Sequence, residues 1–252
     1  MSERVLATLQ DGVLTVTLSR PEKRNAIDTP MIDALLLMLE RADLDGDVRV
    51  VALRGAGTDF CAGMDLNELL ASADRTVEEN RQAALHFAEL FLRMRQLPKP
   101  IVALVHGRAL AGGCGLATAC DIVLAAESAQ FGYPEVQRGF VPAIVMTLLK
   151  RTAGEKVAFD LAATGRIVTA SEAAGLGLVS RVYEDSDFEE QAGEVLRALA
   201  ASSASALAFT KQQFYQLDGM GFEDGVRLGA DVNAVSRATP DFRAALQAFL
   251  AK

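Results

Sequence analysis

Three short apolar runs constrain this chain more than any other feature. They are VRVVALRG at 48–55, IVALVHG at 101–107 and DIVLAAE at 121–127. A strand with one wet face alternates apolar and polar residues, whereas an unbroken apolar strand needs cover on both faces. Segments with helical spacing separate the three runs, which makes the chain α/β. The rest of the pattern agrees. RVLATLQ and VLTVTLS alternate on either side of Asp11-Gly12, so residues 4–19 read as a β-hairpin. Asp28 or Thr29 can cap a helix with Pro30 in its first turn. A long helix fits 76–96 and stops at Pro98 and Pro100. Beyond residue 142 the spacing is mostly helical, over 142–150, 154–163, 170–175, 187–201, 204–217, 221–236 and 239–251. Such a tail serves either as an oligomerisation element or as a cap on its own chain.

Charge and residue supply exclude several classes. The formal net charge of −8 argues against a nucleic-acid surface. It does not exclude an anionic small ligand, which local basic residues and backbone N–H groups can meet. No apolar run is long enough to span a membrane, and the N-terminus lacks signal-peptide character, so a cytoplasmic location is expected. Cys61, Cys114 and Cys120 have no CxxC spacing, and His86 and His106 are the only imidazoles, so no metal site is expected.

Three stretches carry chemical potential. In FCAGMDL (60–66), small residues after a strand open a helical segment, which lets a ligand approach the backbone; a plain strand-to-helix turn explains them equally. In ALAGGCGLATACD (109–121), Gly112 and Gly113 follow a strand and precede a helix, LATAC, leaving free N–H groups at its start. Two such donors converging on one oxygen would form an oxyanion hole. In FGYPEVQRGFVP (131–142), Glu135 follows Pro134 among apolar residues. A carboxyl in apolar surroundings has a raised pKa and suits acid/base work. Pairing with Arg138, or exposure to water, is the plainer alternative.

Together and in this order, these stretches resemble the crotonase, or enoyl-CoA hydratase/isomerase, superfamily. The resemblance runs from LSRPEKRNAID (18–28) through FCAGMDL and PKPIVALVHGRALAGGCGLATACDIVLAAESAQFGYPE to ATGRIVTASEAAGLGLVSRV (163–182). It implies a spiral of ββα units over 1–195 and a helical C-terminal oligomerisation or cap region over 196–252, with assembly into a homotrimer or a hexamer. It also implies an acyl-CoA thioester as ligand, coenzyme A entering as part of the substrate with no separate cofactor, and an enolate held by two backbone N–H groups. By position those are the N–H groups of Met64 and Gly112. Lys23, Arg24 and Ala26 match the lining of the CoA adenine and phosphate region. Ala62, Gly63, Asp65 and Leu66 match the turn and wall beside the thioester. Lys211 falls where relatives often carry a lysine near the CoA mouth, although a solvated helix lysine fits as well.

Two departures bear on mechanism. Hydratases of the family use two glutamates. Glu135 is the second, and Gly115 stands at the first. Water addition needs one group to orient and deprotonate water and another to protonate carbon. Moving a double bond from the 3,4 to the 2,3 position needs only one base, so the sequence points to an enoyl-CoA isomerase with Glu135 as proton shuttle. A 2-enoyl-CoA hydratase that tolerates Gly115, a decarboxylase, a thioester hydrolase and a catalytically silent CoA-binding paralogue are the alternatives. The second departure is Ala143, Ile144, Val145 and Met146 in place of a glycine-rich turn and polar helix start. They either make the acyl pocket more apolar or pack the following helix. Of the remaining candidates, Cys114 reads as a buried small residue, His106 as a loop-fixing hydrogen bonder and His86 as a core or interface histidine. Asp121 reads as a turn pin, and Tyr133 as pocket wall or proton donor.

Overall fold

The computed structural model describes residues 4–251. Along the chain run β1 (Val5–Gln10), β2 (Val13–Leu18), α1 (Thr29–Leu44), β3 (Val50–Gly55), α2 (Leu66–Ala71), α3 (Val77–Gln96), β4 (Ile101–Val105), β5 (Arg108–Leu110) and α4 (Gly112–Thr118). There follow β6 (Ile122–Ala126), β7 (Gln130–Gly132), α5 (Val145–Thr164), β8 (Ile167–Thr169), α6 (Ala170–Gly175), β9 (Arg181–Tyr183), α7 (Phe188–Ala201), α8 (Ala204–Gln216), α9 (Phe222–Ser236) and α10 (Pro240–Leu250).

Local chemistry sets the first elements. β1 and β2 pair antiparallel, and Asp11 at φ 50° and Gly12 at φ 79° form the left-handed two-residue turn that Asp-Gly favours. The Asp28 carboxylate caps α1 by accepting from Met31 N at 3.0 Å. Thr76 and Glu79 form a reciprocal capping box at the start of α3.

The strands form a six-stranded sheet, ordered β1-β2-β3-β4-β6-β9, and a three-stranded sheet, ordered β5-β7-β8. From β2 outward the large sheet is parallel. The chain climbs by placing one strand in each sheet and then a helix: β4, β5, α4, then β6, β7, α5. This is the ββα spiral. The apolar runs are covered on both faces, as their composition demanded. Val50, Ala52, Val102, Leu104, Leu124 and Ala126 pack on Phe188, Ala192 and Leu196 of α7. Val51, Leu53, Ile101 and Ala103 point the other way, into the main core with Leu35, Leu90 and Leu116. Each such Val or Leu contributes roughly 1.5–3 kcal/mol on full burial.

Several expectations shift. Gly112 and Gly113 lie inside α4, in its first turn, rather than ahead of it. The helices expected at 142–150 and 154–163 meet at a kink, where Gly154 has φ 78° and ψ 169°. The boundary expected at 195 falls inside α7, which belongs to the sheet's cover, so the helices that leave the sheet begin with α8. Lys211 is not solvated. It is buried, its Nζ lies 2.8 Å from Asp121 Oδ2 and it donates to the Lys99 carbonyl at 3.0 Å. Asp121 Oδ1 also accepts from Tyr215 Oη at 2.7 Å, and Oδ2 from Ile101 N at 2.6 Å. Asp121 therefore pins β4 and anchors α8 together. Outward on α9 and α10, Phe222 is 90 % exposed and Phe249 75 %.

Candidate active site

Three segments that are distant in sequence are stitched together by backbone hydrogen bonds. Ala62 N donates to the Arg24 carbonyl, Ile27 N to Gly63 and Asp65 N to Ile27. Cys61 N donates to Arg108, and Leu110 N to Cys61. Buried side chains hold the stitching. Asn25 Nδ2 donates to the Ala56 and Asp59 carbonyls at 2.8 and 2.7 Å, while its Oδ1 accepts from Arg20 N at 2.9 Å. Arg20 reaches Asp65 at 2.9 Å and Asp28 at 3.1 Å. The Asp65 carboxylate also caps α2 by accepting from Asn67 N at 2.9 Å. Burial alone would raise its pKa, but these partners outweigh burial and hold the group below its usual range. Asp65 is thus committed to the scaffold through its side chain.

The junction leaves two connected hollows. An outer cleft of about 920 Å³ is lined by Lys23, Arg24, Ala26, Ala62, Asp65 and Leu66, among others. An inner cavity of about 390 Å³ is lined mainly by apolar residues of α3 and of 140–145, with Phe87 and Ile32. Met64, Gly112 and Glu135 line both. The positions expected to hold the reacting group thus sit where the hollows meet, and six of the seven expected binding positions line the outer one.

Gly63 is the exception. It is absent from both linings, and at φ 97° a Cβ there would lie 2.8 Å from Ala111 Cβ and 3.0 Å from the Leu110 carbonyl. A glycine here allows the close passage of one segment over another. The same built Cβ would lie 3.3 Å from Gly112 N, which measures how near the 63–64 turn runs to the start of α4. Ala111, at φ 50° and ψ −127°, holds a conformation that L-residues rarely adopt, and its N–H donates to the Gly132 carbonyl at 2.8 Å. Such strain costs on the order of 1–3 kcal/mol and concentrates at functional sites. Among the described residues, neither Met64 N–H nor Gly112 N–H has a backbone acceptor.

Glu135 sits in a 3₁₀ turn, Pro134–Arg138, and is 8 % exposed. Its Oε2 is buried with no hydrogen-bond partner. Burial pushes its pKa up, while its own backbone N–H and the charge of Arg138 pull part of the way back. Arg138 lines the outer cleft and forms no ion pair with it. A buried acid with an orphaned oxygen costs stability, and such groups mark sites of chemistry.

The two departures meet physically. A Cβ on Gly115 would lie 2.6 Å from Val145 Cβ and closer still to its Cγ1. Val145, the first residue of α5, is 3 % exposed and lines the inner cavity. It fills the space that any side chain at 115 would need. No local sequence signal links residues thirty apart, so composition alone could not pair them.

The other candidates sort by burial. Burial raises the Cys114 pKa to about 11, which suits an inert thiol. Tyr133 is fully buried and bonded to Thr118 Oγ1 at 2.9 Å, so it is neither wall nor donor in either hollow. His106 Nε2 bonds the Gly57 carbonyl at 3.0 Å. His86 is not a core residue: it is partly exposed, contacts Asp33 Oδ1 at 2.7 Å and lines the inner cavity. Asn80 and Ser72, which no motif marked, line both hollows, as does Phe140 of the FGYPEVQRGFVP stretch.

Known proteins carry the same organisation. The family model for enoyl-CoA hydratase/isomerase matches residues 8–252. A relative from Thermus thermophilus is 43 % identical over 240 residues, covering 95 % of each chain. The 2,3-dehydroadipyl-CoA hydratase of Escherichia coli K12 is 34 % identical, covering 100 % of this chain and 97 % of its own. The 1,2-epoxyphenylacetyl-CoA isomerase of the same organism is 32 % identical with the same coverage. The crystal structure of a Mycobacterium smegmatis enoyl-CoA hydratase superposes with a TM-score of 0.94 at 31 % identity, covering 99 % of this chain and 96 % of that one. Spiral, stitched junction and full-length similarity agree: the chain is a crotonase and belongs to the enoyl-CoA hydratase/isomerase family of enzymes.

Proposed function

We propose that the enzyme shifts the double bond of a 3-enoyl-CoA to the 2,3 position, with Glu135 as its single acid/base. The observation that carries this reading is Glu135, a buried acid with one unpartnered oxygen that lines both hollows, together with position 115, which has no side chain and whose place Val145 fills. The other carboxylate in that lining, Glu68, is already engaged with Thr29 N and Oγ1 at 3.1 Å, on the exposed side.

The chemistry balances without water or redox. The Glu135 carboxylate takes a proton from C2. The C2–H electrons form a C1–C2 double bond, and the carbonyl π electrons move onto the thioester oxygen. The N–H groups of Met64 and Gly112 stabilise that oxyanion, each donor being worth on the order of 10²–10³ in rate. As the carbonyl re-forms, C4 takes the proton back from Glu135, and the double bond lies between C2 and C3. A raised pKa suits a group that must hold the proton between the two steps. CoA enters as part of the thioester. Its phosphates are met by Lys23 and Arg24 in the outer cleft, and Arg138 adds a third positive charge there. The homotrimer or hexamer implied by family resemblance is supported by the apolar residues that α9 and α10 leave in solvent, Phe222 and Phe249 foremost.

The test follows conjugated 2-enoyl-CoA by its absorbance when a 3-enoyl-CoA is supplied. Wild type forms it, and Glu135→Gln loses about 10²-fold or more. No conjugated product from wild type, or full activity in the variant, overturns the reading.

A further inference from the structure

We propose that Val145 determines reaction specificity: its side chain seals the wall at Gly115 against water and so commits the site to proton transfer within the substrate. The proposal rests on the isomerase reading above and names the residue that enforces it.

Geometry carries the case. Gly115 lies in the first half of α4, three residues after Gly112, and is itself buried. A bare glycine there would leave a hollow of side-chain size beside the reacting carbons. A hollow of that size with polar walls holds a water, whereas an apolar one stays dry. Val145 removes the choice. Its Cβ would stand 2.6 Å from a Cβ on Gly115 and its Cγ2 3.5 Å away, so its isopropyl group rests directly on the glycine. Val141, Pro142, Ala143 and Ile144 continue the same apolar wall of the inner cavity. A water molecule needs two or more polar partners to be held in place, and this wall offers no side-chain donor or acceptor; Ser72, Asn80 and His86, polar side chains of the lining, belong to the 72–86 stretch. On the Gly115 side Glu135 therefore meets the substrate and a wall that holds no water. A dienolate in such a site is protonated by the group that made it. The conjugated product leaves without water adding at C3.

The pair also predicts how the site resists conversion. A glutamate at 115 has no room while Val145 is present. Room for it needs a smaller residue at 145, so the two positions must change together.

The experiment compares wild type, Val145→Thr, Gly115→Glu and the double variant Gly115→Glu/Val145→Gly. Two rates are read for each: conjugation of a 3-enoyl-CoA, and loss of conjugation as water adds to a 2-enoyl-CoA. Circular dichroism confirms folding. Val145→Thr keeps the side chain's shape and adds a hydroxyl, so the ratio of hydration to isomerisation rises by about tenfold. Gly115→Glu alone gains no hydration. The double variant hydrates at least about tenfold faster than wild type. A Val145→Thr ratio equal to wild type, or hydration by Gly115→Glu equal to that of the double variant, overturns the proposal. A double variant that fails to fold leaves Val145→Thr to decide. Failure of wild type to isomerise sinks the proposed function instead, and the hydration rates of the four proteins still report on Val145.

Discussion

Consider Glu135→Gln, which keeps the side chain's volume and removes both its charge and its capacity to take a proton. Acid/base groups of this kind contribute about 10²–10⁴ in rate, or ~3–5 kcal/mol of barrier. The same substitution acts on stability in the opposite sense. The folded protein raises the Glu135 pKa above its unfolded value, chiefly through burial. The folded state then binds more protons than the unfolded state between those two values. Stability falls as pH rises through that window, and the full cost is present above it. Each unit of difference is worth about 1.4 kcal/mol. Glutamine never ionises and escapes this cost. At neutral pH the variant melts higher, by roughly 2–4 °C per kcal/mol for a chain of this size, and below the ordinary carboxylate range the two proteins converge. Wild-type kcat/KM should decline on the acid side as pH drops through the raised Glu135 pKa. The assays are steady-state turnover of a 3-enoyl-CoA and thermal melts across pH. Activity within about threefold of wild type, or a melting point lowered equally at every pH, refutes the reasoning.

Other outcomes follow from the same geometry. Lys23→Ala combined with Arg24→Ala raises KM for a CoA thioester by roughly three- to tenfold with kcat little changed, an effect that shrinks at high salt. Gly115→Ala drives a Cβ into Val145 and costs about 1–3 kcal/mol in denaturant melts. Val145→Ala restores part of that loss, giving a coupling of at least about 0.5 kcal/mol in a double-mutant cycle. Lys211→Met leaves the half-buried Asp121 without its cation and destabilises by ~1–3 kcal/mol, while KM for the CoA thioester stays unchanged, which separates an anchor from a ligand contact. Thiol reagents should leave Cys114 unmodified until the chain unfolds, because burial holds its pKa near 11.

The large sheet could be read from the chain because its strands announce themselves locally. An unbroken apolar run demands two covers, and Asp11-Gly12 demands a hairpin. The small sheet could not. β5, β7 and β8 are three residues each, too short for any period, and they pair with partners twenty or more residues away. The site divides in the same way. Glu135 stood out as one acid among apolar residues, and Met64 and Gly112 followed from the family pattern that those stretches compose. Lys211 resisted, since a helix lysine looks solvated until Asp121 arrives from ninety residues earlier. Val145 was visible only as one of several apolar residues in an unusual run. Its meaning is spatial: it is the other half of Gly115.

The most direct test of the account follows an isotope. A 3-enoyl-CoA carrying deuterium at C2 is supplied in ordinary water, and the conjugated product is examined for deuterium at C4. A single carboxylate that carries the proton between the two carbons predicts conjugated product with part of the C2 label delivered to C4, a transfer that disappears with Glu135→Gln. No conjugated product, or product whose new C4 hydrogen comes wholly from water, contradicts it.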